Sequence, residues 1–319
     1  MFKVVSLFAG CGGADCGMIG GFSFNGTKYA KLPYKVVYAL DIDQKALNTH
    51  ELNFNCDKTV CEDIRNINVN QIPDHDVLVG GFPCQSFSTV NPTKDPFDDR
   101  ANLYKEMVRI VKAKQPKAFI AENVKGLMTL HRGKILKQVK EAFENVGYTI
   151  QVSLVNAAEF GVPQRRERVI MVGIRNDIKK VFHFPKPTTA ENPVPLSVAV
   201  PQLAIEEKKY YFSERAVQGM KNAKNNMKRG LAQNLNEPCL TVTSHLAKVS
   251  LNSRDPVLLV DPDKELYRRF TPREAARIQS FPDTFVFAGG DLDAYRQIGN
   301  AIAPVMFWHI AKELAESLK

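Results

Sequence analysis

Two patterns alternate along the first half of the chain. Short apolar runs rich in branched residues fall at 3–8, 34–40, 58–60, 76–79 and 118–121. They are apolar at nearly every position, which predicts buried parallel strands rather than strands with one wet face. Polar and helical stretches separate them. Phe97 to Asn102 opens a helix in which Leu103, Met107, Ile110 and Val111 recur at helical spacing, and another helix over 135–146 stops at Gly147, a C-terminal cap signal. Two further strands are predicted near 149–155 and 169–174. This order predicts an α/β fold, a mainly parallel sheet with helices on both faces.

Beyond about Phe184 the alternation breaks down, and Pro185, Pro187, Pro193, Pro195 and Pro201 mark a boundary. Only two strands are predicted after it, at 240–245 and 257–260. Regular structure returns with Thr271 as a helix N-cap, Pro272 in the first helical position and Glu274 three residues after the cap. The residues from Gln297 to Pro304 predict a glycine turn into a last amphipathic helix that packs back on the first domain.

The chemistry-bearing residues lie where the strands end. Open α/β sheets bind ligands beyond the carboxyl ends of their strands. Strand 3–8 runs into Ala9-Gly10-Cys11-Gly12-Gly13, a turn whose glycines let the backbone approach a ligand at a helix N-terminus. It lacks the dinucleotide spacing G-x-G-x-x-G. Strand 34–40 ends in Asp41-Ile42-Asp43, where an acid commonly holds a ribose hydroxyl pair. Ile42 offers a face for an adenine. The alternative for Asp41 is to cap the helix beginning near Gln44. After strand 58–60, Asp63 and Ile64 repeat the pairing of an acid with a branched apolar residue, and Asp63 is placed to accept from an adenine amino group.

Strand 76–79 leads through Gly80-Gly81-Phe82-Pro83 to Cys84. A cysteine past a strand end is a candidate nucleophile if something lowers its pKa from about 8.5 or takes its proton. The ordinary alternative is an inert buried thiol. Strand 118–121 closes with Glu122-Asn123-Val124, which puts a carboxylate on the same sheet edge. In Gln164-Arg165-Arg166-Glu167-Arg168, an extended backbone turns Gln164, Arg166 and Arg168 to one side and Arg165 and Glu167 to the other. Paired guanidiniums suit an anionic or carbonyl-bearing substrate.

The net charge of +9 favours a polyanionic partner. Lys208, Lys209, Arg215, Lys221, Lys224, Lys228 and Arg229, interleaved with Tyr210, Tyr211 and Phe212, resemble a basic module that grips phosphates. Cys11/Cys16 and Cys56/Cys61 have a spacing that zinc sites use, but no Cys/His cluster completes either pair, so no metal is expected. Six cysteines in 319 residues are too sparse for a disulfide scaffold. No run approaches a membrane span, and no signal peptide is expected before the first strand. A reduced cytoplasmic protein is the expectation.

The order of the segments is more specific than any one of them. Phe8-Ala9-Gly10-Cys11-Gly12-Gly13, Gly81-Phe82-Pro83-Cys84-Gln85, Glu122-Asn123-Val124, Gln164-Arg165-Arg166-Glu167-Arg168, Arg269-Phe270-Thr271-Pro272-Arg273-Glu274 and Gly299-Asn300-Ala301 follow one another. In this the chain resembles the cytosine-C5 DNA methyltransferases of bacterial type II restriction-modification systems. The resemblance implies a Rossmann-like AdoMet-dependent catalytic domain over 1–185, a small irregular target-recognition domain over 186–266, and a segment over 267–319 returning to the catalytic domain. It implies S-adenosyl-L-methionine as methyl donor and double-stranded DNA as partner, bound by a monomer near the nucleoid, with a cognate restriction endonuclease acting separately.

Residue by residue, the resemblance assigns Cys84 as the nucleophile on cytosine C6, Glu122 to N3 and the exocyclic amine, and Arg168 to the cytosine O2. Arg166 and Gln164 would organise the site. Phe8 would pack near the cofactor adenine, with Gly10, Gly12 and Gly13 along its methionine end. Asp41 would hold the ribose and Ile42 the adenine face; Asp63 and Ile64 would recognise the adenine. Pro83, Leu103 and Asn300 would complete the pocket. The family usually has Glu where Asp41 stands, so the shorter acid must reach further or its loop must shift. The loop from Ser86 to Asp99 is expected to close over a flipped base. A tRNA-methylating enzyme of the same family, a catalytically silent DNA-binding regulator and a dinucleotide oxidoreductase are the competing readings. The intact set of Cys84, Glu122 and Arg168 disfavours the regulator, and the glycine spacing fits the oxidoreductase poorly.

Overall fold

Strands apolar on both faces need cover on both sides, and the chain supplies it with helices on each. A computed structural model describes residues 1–83, 103–222, 232–247 and 256–319. In chain order the elements of the first half are β1 (Phe2–Leu7), α1 (Gly13–Ile19), β2 (Phe22–Phe24), β3 (Thr27–Tyr29), β4 (Tyr34–Asp41), α2 (Gln44–Asn53), β5 (Thr59–Cys61), β6 (Val77–Gly80), α3 (Leu103–Lys114), β7 (Ala118–Val124), α4 (Gly126–Thr129), α5 (Lys134–Glu144), β8 (Tyr148–Asn156), β9 (Gln164–Arg165) and β10 (Glu167–Arg175). The main sheet has seven strands in the order β5-β4-β1-β6-β7-β10-β8. The first five are parallel to their neighbours, and β10 runs antiparallel between β7 and β8. The order reverses between β1, which pairs with β4, and β6, which leads on to β7. A ligand-binding crevice is expected above that point.

Successive strand residues face opposite layers. Val4, Val77, Val79, Ala118, Ile120, Ile170 and Val172 join one core, which α1 and α9 (Pro304–Ser317) cover with Met18, Val305, Met306, Phe307, Ile310 and Leu314. Val5, Leu78, Phe119, Ala121, Val169 and Met171 join the other, covered by Met107, Ile110 and Val111 of α3 and Val139 and Phe143 of α5. The last helix therefore packs on α1 and the main sheet. Its contact is close: a Cβ at Gly17 of α1 would lie 2.4 Å from Pro304 O.

The later elements are α6 (Glu214–Asn222), β11 (Cys239–Leu240), β12 (Leu258–Asp261), β13 (Leu266–Arg268), α7 (Pro272–Ile278) and α8 (Asp291–Asn300). Leu196, Cys239, Val242, Leu246 and Leu258 pack with Phe270, Phe281, Tyr295 and Ile298 in a third core. Two expectations fail here. The predicted strand at 240–245 is only Cys239–Leu240, because past Leu240 side chains rather than a neighbouring strand take up the backbone groups of Val242. Gly299 is no turn: it lies in the last turn of α8, and a Cβ there would sit 2.2 Å from both Ser244 N and Thr243 C. Close approach of two backbones, not positive φ, requires this glycine. Gly299→Ala should lower stability by about 1–3 kcal/mol, the usual range for overpacking, read as a shift of the urea midpoint at constant m.

The capping box at Thr271 and Glu274 forms as the sequence predicts. Glu274 also receives Arg268 in a two-pronged pair at 2.7 Å and 2.7 Å, with Arg268 fully buried. Arg268 donates further to the carbonyls of Gln202 and Leu203. Arg268→Met strands a buried carboxylate and frees those carbonyls. It should cost about 3–5 kcal/mol, measurable by equilibrium denaturation.

Candidate active site

Gly80 and Gly81 at the end of β6 and Glu122 in β7 share the carboxyl edge of the sheet. A Cβ on Gly81 would lie 3.2 Å from Glu122 Oε2, so the glycine leaves room for that carboxylate. Antiparallel pairing of β10 with β7 brings Arg168 opposite Val124, and Arg168 Nε stands 2.8 Å from Glu122 Oε1. Both side chains are 13% exposed, so the pair is open on one side only. Arg168 also donates to Glu167 O at 2.8 Å. Asn123, buried between the strands, donates to Phe82 O at 3.0 Å and accepts from Val124 N at 2.8 Å. It thereby fixes the peptide that enters Pro83. Sequence reasoning missed this role; the place of Asn123 between Glu122 and Val124 was the only signal.

Cys84 and the expected lid from Ser86 to Asp99 lie outside the described residues. Four of the described cysteines compete poorly for the nucleophilic role; the fifth, Cys61, is exposed at the end of β5. Burial pushes the Cys11 thiol up to about 12 and the Cys56 thiol up to about 11, and raises Cys16 and Cys239 further. Among the described residues no group of three or more His, Cys, Asp or Glu side chains is placed to hold a metal ion.

The expected alternation from Gln164 to Arg168 is present. Gln164 and Arg166 are buried, Arg165 is exposed and pairs with Glu237, and Glu167 pairs with Lys125. Arg166 is engaged by backbone instead, donating to Val242 O, Gly299 O and Ala301 O at 3.0–3.1 Å. Of the two expected guanidiniums, Arg168 alone pairs with Glu122.

The cofactor candidates gather on the other side of the switch point. Phe8 leaves β1 at φ +53°, and at Gly10, with φ +56°, an added Cβ would meet nothing within 4 Å, so the loop opens on free space. Gly12 and Gly13 are tightly packed instead: a Cβ there would meet Phe54 Cε2 at 2.2 Å or Ile302 O at 2.4 Å. The second contact carries the Asn300–Ile302 stretch onto the glycine loop, leaving Asn300 exposed at the end of α8. Asp41 is not the cap of α2; Asp43 is, accepting from Lys45 N. Asp41 accepts from Gly10 N at 2.8 Å and Asp43 N at 2.9 Å, tying the glycine loop to β4. Burial raises its pKa. Ile42 is 70% exposed, a branched apolar side chain left uncovered between two acids. Asp63 is already gripped by Arg65 through Nε and Nη2, and Ile64 is buried in the core beneath. Pro83 and Leu103 are half-buried, with Phe82 and Tyr104 in ring contact between them.

The chain that carries this edge, with an acid–guanidinium pair on one side of the switch point and an open glycine loop on the other, matches the C-5 cytosine-specific DNA methylase family model over residues 2–316. The chain belongs to that family, whose members are AdoMet-dependent enzymes methylating cytosine C5 in DNA. It is 34% identical to the type II methyltransferase M.NgoFVII of Neisseria gonorrhoeae over 98% of this chain and 86% of that protein. It is also 34% identical to M.NlaX of Neisseria lactamica, covering 100% of this chain and 97% of that one. In fold it matches the crystal structure of a DNMT2 variant of Spodoptera frugiperda, with a TM-score of 0.78 at 18% identity over 98% and 99% of the two chains.

Proposed function

We propose that this enzyme is the modification arm of a restriction-modification system and methylates one cytosine within a fixed sequence of double-stranded DNA. The observation that carries this reading is the Glu122–Arg168 pair beside Gly81, three residues before Cys84. The open loop at Gly10 and the uncovered Ile42 fit an adenosyl group: Phe8, Asp41, Ile42, Asp63 and Asn300 would hold it, with Pro83 and Leu103 completing the pocket; Ile64, its side chain in the core, would offer only its backbone. When bound, AdoMet supplies an electrophilic methyl group. For Asp63 to meet an adenine amine it must share or surrender its hold on Arg65.

Cytosine C5 is a weak nucleophile. Cys84 corrects this by adding its thiolate across C6, which makes C5 enamine-like. Glu122 contacts N3 and the exocyclic amine as charge builds there, a positioned proton contact of a kind that contributes about 10²–10⁴-fold. Arg168 contacts O2 and holds Glu122 in place. Once C5 is substituted, loss of its proton expels Cys84 and restores aromaticity. The base must leave the helix to reach Cys84, at a cost of a few kcal/mol.

Residues 1–185 form the catalytic domain, 186–266 the recognition domain, and 267–319 the returning segment. Within the recognition domain Lys208, Lys209 and Arg215 are exposed to meet phosphates, whereas Tyr210 and Tyr211 turn inward to Asp291 and Ile205 and are not stacking platforms. Lys224, Lys228 and Arg229 lie outside the described residues. Among the described residues no helix is long and apolar enough to cross a membrane. The enzyme would act as a monomer in the cytoplasm, on the nucleoid, without a metal and apart from any endonuclease. Bisulfite sequencing of DNA from cells expressing the chain should show one methylated sequence context. Labelled AdoMet offered with duplex DNA and tRNA side by side should label DNA; label on tRNA alone would overturn the reading.

A further inference from the structure

A fully buried polar clasp joins three segments that are far apart in sequence. Gln279, just past α7, donates from Nε2 to Ile298 O and Ala301 O, both at 2.9 Å. Its Oε1 accepts from Gln164 Nε2 at 2.6 Å. Gln164 Oε1 accepts from Val242 N at 2.8 Å, and Arg166 donates to Val242 O at 3.1 Å. Both backbone groups of Val242 are therefore held by side chains of the Gln164–Arg168 strand. Arg166 also reaches the carbonyls of Gly299 and Ala301, the residues on either side of Asn300. The Thr243–Ser244 peptide lies against Gly299 with no room for a single added carbon. All three side chains are at most 2% exposed. Buried polar networks of this kind hold one arrangement strongly, because any member left unpaired is costly.

One end of the clasp is the segment 242–247 of the proposed recognition domain. The other is the turn that presents Asn300 to the proposed cofactor pocket. We propose that Gln279 is a positioning residue that couples the two: it locks Asn300 to the recognition segment, so that DNA and the adenosyl ligand strengthen each other's binding. This rests on the functional reading above. Coupling between two sites is reciprocal and typically amounts to about 5–150-fold. A side chain that merely filled space would influence stability without touching that ratio.

The experiment measures the Kd of S-adenosylhomocysteine, which does not turn over, by calorimetry with and without a duplex carrying the methylated sequence. The parent should bind it at least about 5-fold tighter with DNA. Gln279→Met, similar in volume but without the amide, should bring the ratio to within about twofold of one. Phe143→Leu, a core substitution on α5 that touches none of the clasp's hydrogen bonds, serves as the control for lost stability and should keep the parent ratio. If Gln279→Met does not accumulate as folded protein, Gln279→Glu, which keeps the acceptor for Gln164 and loses both donors, takes its place with the same expected collapse. A parent ratio of one, or a variant with the parent ratio, overturns the proposal. A parent that binds no S-adenosylhomocysteine or methylates no DNA instead overturns the functional reading.

Discussion

A Cys84→Ser enzyme is expected to transfer no measurable methyl to DNA while binding AdoMet as the parent does. A serine hydroxyl is far less acidic than a thiol and supplies almost no anion to attack C6. Cys11, Cys16, Cys56 and Cys239 are poor substitutes, since burial raises their thiol pKa values. Asn123 holds Phe82 O just past the end of β6. Two assays check this: methyl incorporation from labelled AdoMet, and covalent trapping on DNA containing 5-fluorocytosine, followed on a denaturing gel. Retained turnover in the variant sinks the mechanism.

Glu122→Gln should slow methyl transfer about 10²–10⁴-fold, the range for removing a positioned proton donor or acceptor. The amide keeps the size of the side chain and can still hydrogen-bond the base, but it has no proton to give. It also ends the ion pair with Arg168 Nε, now 2.8 Å away. The loss should fall on kcat, with the Kd for AdoMet unchanged, because Glu122 lies across the switch point from Gly10 and Ile42. Single-turnover rates separate this from slow product release. An effect confined to KM for DNA would mean that Glu122 only grips the base.

The sequence made the parallel strands legible because residues such as Val77, Leu78 and Val79 are apolar on both faces, which only a doubly covered sheet tolerates. The cap at Thr271 was legible because its chemistry is local. The reversed direction of β10 was not, since apolar alternation is the same for either direction. The β2–β3 hairpin went unread although Asn25-Gly26, both at positive φ, is a strong signal for a tight turn. Of the candidate site, Glu122 and Arg168 followed from position at strand ends and from alternation. The use of Arg166, the burial of Gln279 and the squeeze at Gly299 did not. They depend on chain segments more than 70 residues from Arg166 and Gln164 that arrive only in the folded protein.

The cover that α9 gives the sheet has a bearing on the enzyme's birth. A ribosome delivers this helix after every strand it shields. Until Val305, Phe307 and Ile310 emerge, Val4, Val79 and Ile120 have water where a neighbour belongs, and α1, which carries the glycine loop, has nothing to rest against. A chain lacking α9 should therefore leave that face of the sheet wet and α1 unsupported.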